Sequence, residues 1–100
     1  MKWFPKHSVP ALYNIRELRN KTLELEASLR RYNESLRYYT SSALKEADEL
    51  TKAANLQLQQ SETGIAEYIQ SITTAREIRR GYIETVYQYN IAALEYELFK

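Results

Sequence analysis

The sequence predicts an all-α protein: a long antiparallel two-helix hairpin, coiled-coil-like, that packs against further helices in an oligomer. Three observations predict this fold. The 100 residues include only two glycines and two prolines, so few points interrupt a helix. Apolar residues recur at alternating spacings of three and four, which is the period of a helix seam. One polar segment with a glycine, residues 61–64, divides the chain into two long helical stretches.

The composition excludes several classes of function. The chain has 14 Lys and Arg against 13 Asp and Glu, and this balance gives no reason to expect nucleic acid or an anionic membrane as partner. The absence of cysteine excludes disulfides, thiolate metal sites and thiol nucleophiles. No run approaches the roughly 20 apolar residues of a spanning helix, so we expect no direct membrane insertion by this segment. The basic Lys2 precedes no apolar run, so no signal peptide is predicted.

The first helix is predicted over residues 9–60, after an irregular lead of residues 1–8. Ser8 is a suitable N-cap, and Pro10 is tolerated in a first helical turn. A phase slip near Ala43 predicts a local change of supercoil. The seam consists of Ile15, Leu18, Thr22, Leu25, Leu29, Tyr32, Leu36, Tyr39, Ala43 and, after the slip, Ala47, Leu50 and Ala54.

The second helix is predicted over residues 65–99, after a turn at 61–64 in which Gly64 is able to take left-handed or extended dihedrals. Together the two helices form a single hairpin domain, residues 9–100. Two apolar stripes overlap on the second helix, and a surface this wide indicates more than one neighbour. The first stripe contains Ile72, Ala75, Tyr82, Val86, Tyr89 and Ala93; the second contains Ile65, Tyr68, Ile69, Ile83, Tyr87 and Leu94.

A fold at residues 62 and 63 places residue i opposite residue 125 minus i. Arg76 then faces Glu49. Arg79 likewise faces Glu46, which favours cross-hairpin charge pairing over anion binding by these arginines. Gly81, by the same rule, faces Leu44 and marks a close approach of the helices.

The same register places Lys100 opposite Leu25, so the first helix overhangs the second by about 20 Å. The overhang carries apolar residues for which this chain offers no partner, and they predict contact with another copy or another sequence. These residues are Leu12, Ile15, Leu18 and Leu23.

No arrangement of residues suggests catalysis, so we expect no enzyme activity and no cofactor or metal. His7 is the only histidine and has no ligand-forming neighbour at a suitable spacing. No serine or threonine has a histidine nearby to act as base.

Acidic residues four positions before a lysine or arginine predict surface ion pairs: Glu17 with Lys21, Glu26 with Arg30, and Asp48 with Lys52.

Nine tyrosines are the unusual feature of the composition. Tyrosines interleaved with arginines are compatible with binding single-stranded nucleic acid, but their seam positions favour packing at helix interfaces. We therefore expect no nucleic-acid partner. The predicted interface residues are Ile15, Leu18, Leu25, Leu29, Tyr32, Leu36, Tyr39, Tyr68, Ile72, Tyr82, Val86, Tyr89 and Tyr96.

A series of short motifs runs through residues 29–98 in a characteristic order. They are Leu36-Arg37-Tyr38-Tyr39, Ala43-Leu44, Ala47, Gln60-Ser61-Glu62-Thr63, Ile65-Ala66-Glu67-Tyr68-Ile69-Gln70, Tyr82-Ile83-Glu84-Thr85, Tyr89-Asn90 and Leu94-Glu95-Tyr96. This series resembles the C-terminal hairpin of TolC-type outer-membrane efflux factors, in particular the heavy-metal RND branch. Ser61 departs from the pattern, because it stands where that family usually has glycine.

The resemblance implies a segment of a periplasmic tunnel wall in a tripartite efflux system, exporting heavy-metal cations. Its implied partners are an RND inner-membrane pump, a periplasmic adaptor protein and further copies in a trimer, and its implied location is the periplasm, within an envelope-spanning complex. It implies a fragment or excised domain of a larger efflux protein, or a TolC-like domain fused to a pump. The alternative is a self-contained coiled-coil adaptor that oligomerises and binds a partner protein through helix one.

Overall fold

The computed structural model describes residues 14–100, and this part of the chain is helical without any strand. Helix α1 spans Ile15–Tyr38 and continues through a π-helical segment, Tyr39–Ala43, into α2, Leu44–Gln59; these three form the first arm. Helix α3, Ile65–Phe99, is the second arm. The arms pack along their length as a hairpin-like pair that measures 75 × 22 × 15 Å. The molecule is therefore a rod with two of its three dimensions set by helix diameters.

Helix α1 begins at Ile15 because Asn14 forms a capping box with Glu17. The Asn14 side chain accepts a hydrogen bond from the Glu17 backbone N–H at 2.7 Å, and the Glu17 carboxylate accepts one from the Asn14 N–H at 3.3 Å. The predicted start at residue 9, with Ser8 as the cap and Pro10 in the first turn, lies outside the described residues. The Asn-x-x-Glu spacing is the local signal that marks the start at Ile15.

The π-helical segment, Tyr39–Ala43, lies where the apolar pattern slips phase. In a π turn each N–H bonds to the carbonyl five residues before it instead of four, so the turn holds one more residue than an α turn. Side-chain hydroxyls within the segment bond to backbone carbonyls of the residues just before it: the Thr40 hydroxyl donates to the Leu36 carbonyl at 2.9 Å, and the Ser42 hydroxyl donates to the Tyr38 carbonyl at 3.3 Å. The change of phase is thus a local irregularity within one continuous arm.

Helix α2 ends in a Schellman motif centred on Ser61. The Ser61 N–H bonds to the Leu58 carbonyl at 3.1 Å, and the Glu62 N–H bonds to the Gln57 carbonyl at 2.8 Å. Ser61 has a φ of +60°, in the left-handed region that favours glycine. Gly64 was expected to take left-handed or extended dihedrals in the turn, and it is extended, with φ −87° and ψ 173°. The left-handed residue has to follow the last helical turn directly, and Ser61 occupies that position.

Glu67 completes the start of α3. Its carboxylate accepts hydrogen bonds from the Thr63 hydroxyl at 2.5 Å and from the Gly64 N–H at 3.3 Å. Both bonds favour the ionised carboxylate, so the Thr63 bond first and the Gly64 bond second lower the pKa of Glu67. The helix start is fixed from the third helical position, since Gly64 itself has no side chain to cap with.

The core between the arms is thin and made mostly of alanine. Small side chains let two helix backbones approach closely, but each buries little apolar area. Larger residues form one cluster near the end of the hairpin remote from the turn, where Leu25, Ala92 and Phe99 contact Tyr32 and Tyr96. The buried apolar residues of the described chain are Leu25, Ala43, Ala47, Ala54, Ala75, Ala92 and Phe99.

Contacts between the arms define their register. Near the turn, the Tyr68 hydroxyl donates to Asn55 at 2.8 Å, and these residue numbers add to 123. At the end of the π segment that is remote from the turn, the rings of Tyr39 and Tyr82 lie 5.9 Å apart, and their numbers add to 121. The predicted sum of 125 is therefore wrong at the end remote from the turn. The residue inserted by the π turn accounts for part of this shift.

The register shortens the overhang of the first arm. Thr22 donates its hydroxyl to the Phe99 carbonyl at 3.3 Å, and the Lys21 ammonium lies 5.9 Å from the centre of the Phe99 ring. Lys100 thus lies level with Lys21, and the prediction that it faces Leu25 is wrong. The described overhang, from Ile15 to Lys21, is about 9 Å long at the rise of an α-helix.

Candidate interaction surface

The residues predicted from the seam are mostly covered within the chain itself. Ile15 is the exception, with 78% of its surface exposed at the beginning of α1. Leu25 is buried, and the Tyr39 and Tyr82 rings contact each other across the arms. The remaining predicted residues are half-buried: Leu18, Leu29, Tyr32, Leu36, Tyr68, Ile72, Val86, Tyr89 and Tyr96.

A different set of apolar residues on α3 is exposed to solvent, and we name it the outer stripe. It consists of Ile65, Ile69, Ile83, Tyr87 and Leu94. Ile83 and Leu94, for example, are 67% and 68% exposed. The spacings within the set are four, seven or multiples of seven, so the side chains share one flank of the helix. These are five of the six residues of the second stripe recognised in the sequence.

The sixth residue, Tyr68, lies between the two stripes and is half-buried. Its hydroxyl donates to the Asn55 side chain on the first arm. A tyrosine at the edge of a seam combines apolar packing with a polar tip in this way.

One ion pair joins the arms within residues 14–100. Arg79 contacts Asp48 at 2.8 Å and also donates to the Thr51 hydroxyl at 3.4 Å. The predicted pairing of Arg79 with Glu46 is wrong. Side chains on a helix point toward its N-terminus, which for α3 is at the turn, so Arg79 extends past Glu46 toward later residues of the first arm.

Arg76 and Glu49 do not pair in the described chain, contrary to the register prediction. Both side chains are exposed. Arg76 and its exposed neighbour Arg80 instead continue the flank of α3 that carries the outer stripe, between Ile69 and Ile83. The stripe is thus apolar at both ends and basic in its middle.

The three predicted i,i+4 ion pairs are also absent from the described residues, because each acid has another partner. Glu17 caps α1, and Asp48 binds Arg79. Glu26 accepts a hydrogen bond from the Tyr96 hydroxyl at 3.0 Å across the arms. That bond stabilises the protonated phenol, so it raises the pKa of Tyr96.

Gly81 accommodates the Tyr39 ring against the α3 backbone. A Cβ atom at Gly81 would overlap the Tyr39 hydroxyl oxygen and lie 3.1 Å from its Cζ atom. The close approach predicted at Gly81 is present, but the prediction that Leu44 lies opposite is wrong. The π segment shifts the register, and Tyr39 occupies the position instead.

The first arm has its own exposed apolar residues, which the seam pattern did not reveal. Leu23, Tyr38 and Leu56 each expose more than half of their surface. At the end remote from the turn, Leu23 and Phe99 contribute to a shallow open groove. None of the three belongs to the seam, so the seam pattern gives no sign of their exposure.

Within the described range, no three acidic or histidine side chains are grouped to bind a metal ion. No helix between residues 14 and 100 has the combined length and apolar character required to cross a bilayer. Comparison with protein-family models, with curated proteins and with solved structures gave no match to this chain. The exposed apolar surface is therefore the feature on which a functional proposal has to rest.

Proposed function

We propose that the chain is a structural module of a tripartite efflux system: an antiparallel helical hairpin that packs beside other hairpins in a TolC-like periplasmic tunnel wall. The observation that carries the proposal is the outer stripe. Five large apolar side chains exposed along one helix flank form a surface of the kind that binds another protein surface. A hairpin in a wall has neighbours on both sides, which accounts for apolar residues outside its internal seam.

The thin core supports the same proposal. Five of the seven buried apolar residues within residues 14–100 are alanines, so the internal seam excludes little apolar area from water. Small elongated domains with limited cores gain stability from oligomerisation. Lateral packing would supply the missing burial.

The turn supports the part of the proposal that concerns efflux. Ser61 has left-handed backbone dihedrals at the position where the TolC-type pattern usually has glycine. Serine in this conformation meets the geometric requirement that glycine meets more easily. The left-handed backbone at Ser61 is thus compatible with a glycine at this position of the pattern. The proposed partners remain further copies in a trimer, an RND pump and an adaptor protein, with heavy-metal cations as the exported substrate and the periplasm as the location.

Analytical ultracentrifugation tests the assembly. The unaltered chain is expected to sediment above its monomer mass of 11.8 kDa at micromolar concentration. Ile83→Glu with Leu94→Glu should yield a helical monomer, because two charges then lie in the apolar contact. Ser35→Glu, a charge added at an exposed polar position on another flank of α1, is the matched control and should leave the mass unchanged. A chain that is monomeric at every concentration contradicts the proposal.

A growth assay tests the link to efflux. The same double substitution, introduced in the cell that makes the protein, should increase sensitivity to copper, zinc, cobalt or silver salts. Unchanged sensitivity to all four would remove the efflux component, even if the chain assembles as proposed.

The adaptor alternative is favoured by one observation, the exposure of Ile15 at the beginning of α1. An adaptor that binds through helix one should lose its partner on Ile15→Glu and keep it on Leu94→Glu. The wall module should show the opposite sensitivity in its own assembly.

A further inference from the structure

The first arm carries a row of exposed residues at strict seven-residue spacing: Leu23, Arg30 and Arg37. Leu23 is 55% exposed, and both arginines are exposed. Neither arginine takes part in an ion pair within residues 14–100. Side chains seven positions apart lie on one line along a helix. We call these three residues the arginine row.

Helix α3 carries a corresponding row: Glu84, Ile91 and Leu98. All three are exposed, and they follow the same seven-residue spacing. Glu84 has no ion pair among the described residues. Every charged residue between Arg80 and Lys100 is acidic. We call these three residues the glutamate row.

We propose that the arginine row of one copy of this chain packs against the glutamate row of a second copy, with the two copies level along the hairpin axis. This inference rests on the proposed lateral assembly and specifies its partner and its register. In an antiparallel contact, Leu23 of one copy would meet Leu98 of the other. Arg37 would meet Glu84 at the other end of the rows, and the alkyl stem of Arg30 would cover Ile91.

The residue numbers of the two rows determine how the two copies are aligned along the hairpin axis. Residues 23 and 98, 30 and 91, and 37 and 84 each add to 121. Inside the chain, Thr22 and Phe99, and also Tyr39 and Tyr82, add to the same value. A contact between copies with the internal register needs no displacement along the axis. The next hairpin therefore lies beside the first at the same height.

Charge complementarity favours a second copy over an unrelated partner. Helix α1 carries six basic and four acidic residues, whereas the α3 segment after Arg80 and before Lys100 carries acids alone. The two surfaces of one chain are thus complementary to each other in charge, and neither is complementary to a second copy of itself. A contact between different surfaces of identical chains is heterologous, and it forms a ring when it has no axial displacement.

Disulfide trapping tests the register, because the chain has no native cysteine. One full-length chain carries Leu23→Cys, and a second chain of different tag length carries Leu98→Cys. Mild oxidation of the mixture should give mainly the mixed disulfide, which can form only between copies. Leu94→Cys in place of Leu98→Cys is the control: it is exposed but about one helical turn away, too far for disulfide geometry, and its yield should be several-fold lower.

A charge exchange tests the electrostatic contact independently. Arg37→Glu and Glu84→Arg should each weaken self-association by about tenfold, because each places like charges together. The double variant should recover the affinity of the unaltered chain. Circular dichroism of each variant verifies that the helices remain folded.

Three outcomes overturn the inference. If the Leu23→Cys chain forms mainly disulfides with itself, the contact joins identical surfaces. If the Leu94→Cys yield equals that of Leu98→Cys, or the double charge exchange restores nothing, the register is wrong although lateral assembly stands. If the chain is a monomer in all samples, the proposed function fails as well.

Discussion

Replacement of Gly81 by alanine is expected to destabilise the unaltered chain and to stabilise a chain in which Tyr39 has been removed. In a solvated helix, glycine to alanine stabilises by about 1 kcal/mol. At Gly81 the new Cβ atom would overlap the Tyr39 hydroxyl oxygen and lie 3.1 Å from Cζ, so the ring has to move. Overpacking of this kind costs about 1–3 kcal/mol.

The net effect of Gly81→Ala alone is therefore a loss of about 1 kcal/mol, which lowers the Tm by roughly 4–8 °C for a domain of this size. In a Tyr39→Ala background the obstruction is absent, and the same substitution should stabilise by about 1 kcal/mol. The two backgrounds thus differ by about 2 kcal/mol, well above the limit of additivity for distant sites.

Urea denaturation of the four chains, followed by circular dichroism, measures this difference. Protein concentration has to be held constant, because the proposed self-association would add to the apparent stability. Tyr39→Phe is a useful intermediate, since it removes only the atom nearest to the new methyl group. If Gly81→Ala stabilises equally in both backgrounds, the Tyr39 ring does not pack against the α3 backbone at Gly81. The register derived from the contact between Tyr39 and α3 is then wrong.

Three further substitutions test other parts of the hairpin by the same measurement. Ser61→Gly should stabilise by about 0.5–1 kcal/mol, because glycine adopts the left-handed region without the steric cost that serine has there; a loss of stability would contradict the observed turn. Asn14→Ala should destabilise by about 1 kcal/mol through loss of the cap on α1, and faster amide exchange confined to the first turn would identify the cause. Ala47→Leu should cost about 1–3 kcal/mol because the site is fully buried, whereas Ala53→Leu on the exposed face should be nearly neutral.

The sequence alone was sufficient for the helical content and for the position of the turn. Helical periodicity and the scarcity of glycine and proline are properties of long segments, and many residues contribute to each signal. The phase slip near Ala43 was visible for the same reason, and it corresponds to the π segment. The exposed outer stripe on α3 was recognisable as a second stripe that one neighbour does not cover.

The sequence could not predict the contacts that depend on a small shift of register between the arms. The π segment moves the first arm relative to α3, and this small displacement replaces Leu44 by Tyr39 opposite Gly81. The partner of Arg79 changed as well, because the direction of the side chain along the helix decides between acids that lie close together in sequence. The sequence did not show which turn residue is left-handed, whereas the backbone angle and the hydrogen bonds at the end of α2 identify Ser61.

The distance of each contact from the turn has a consequence for how the hairpin forms and opens. Tyr68 and Asn55 are 13 residues apart, whereas Thr22 and Phe99 are 77 apart. Each contact made near the turn shortens the loop that the next has to close, so folding would proceed as a zipper that starts at the turn. Opening then starts at the opposite end, which carries Leu23 and Leu98. A neighbour bound there would keep the two arms together at the end where they separate most readily. Assembly would therefore slow unfolding of each chain as well as add to its stability.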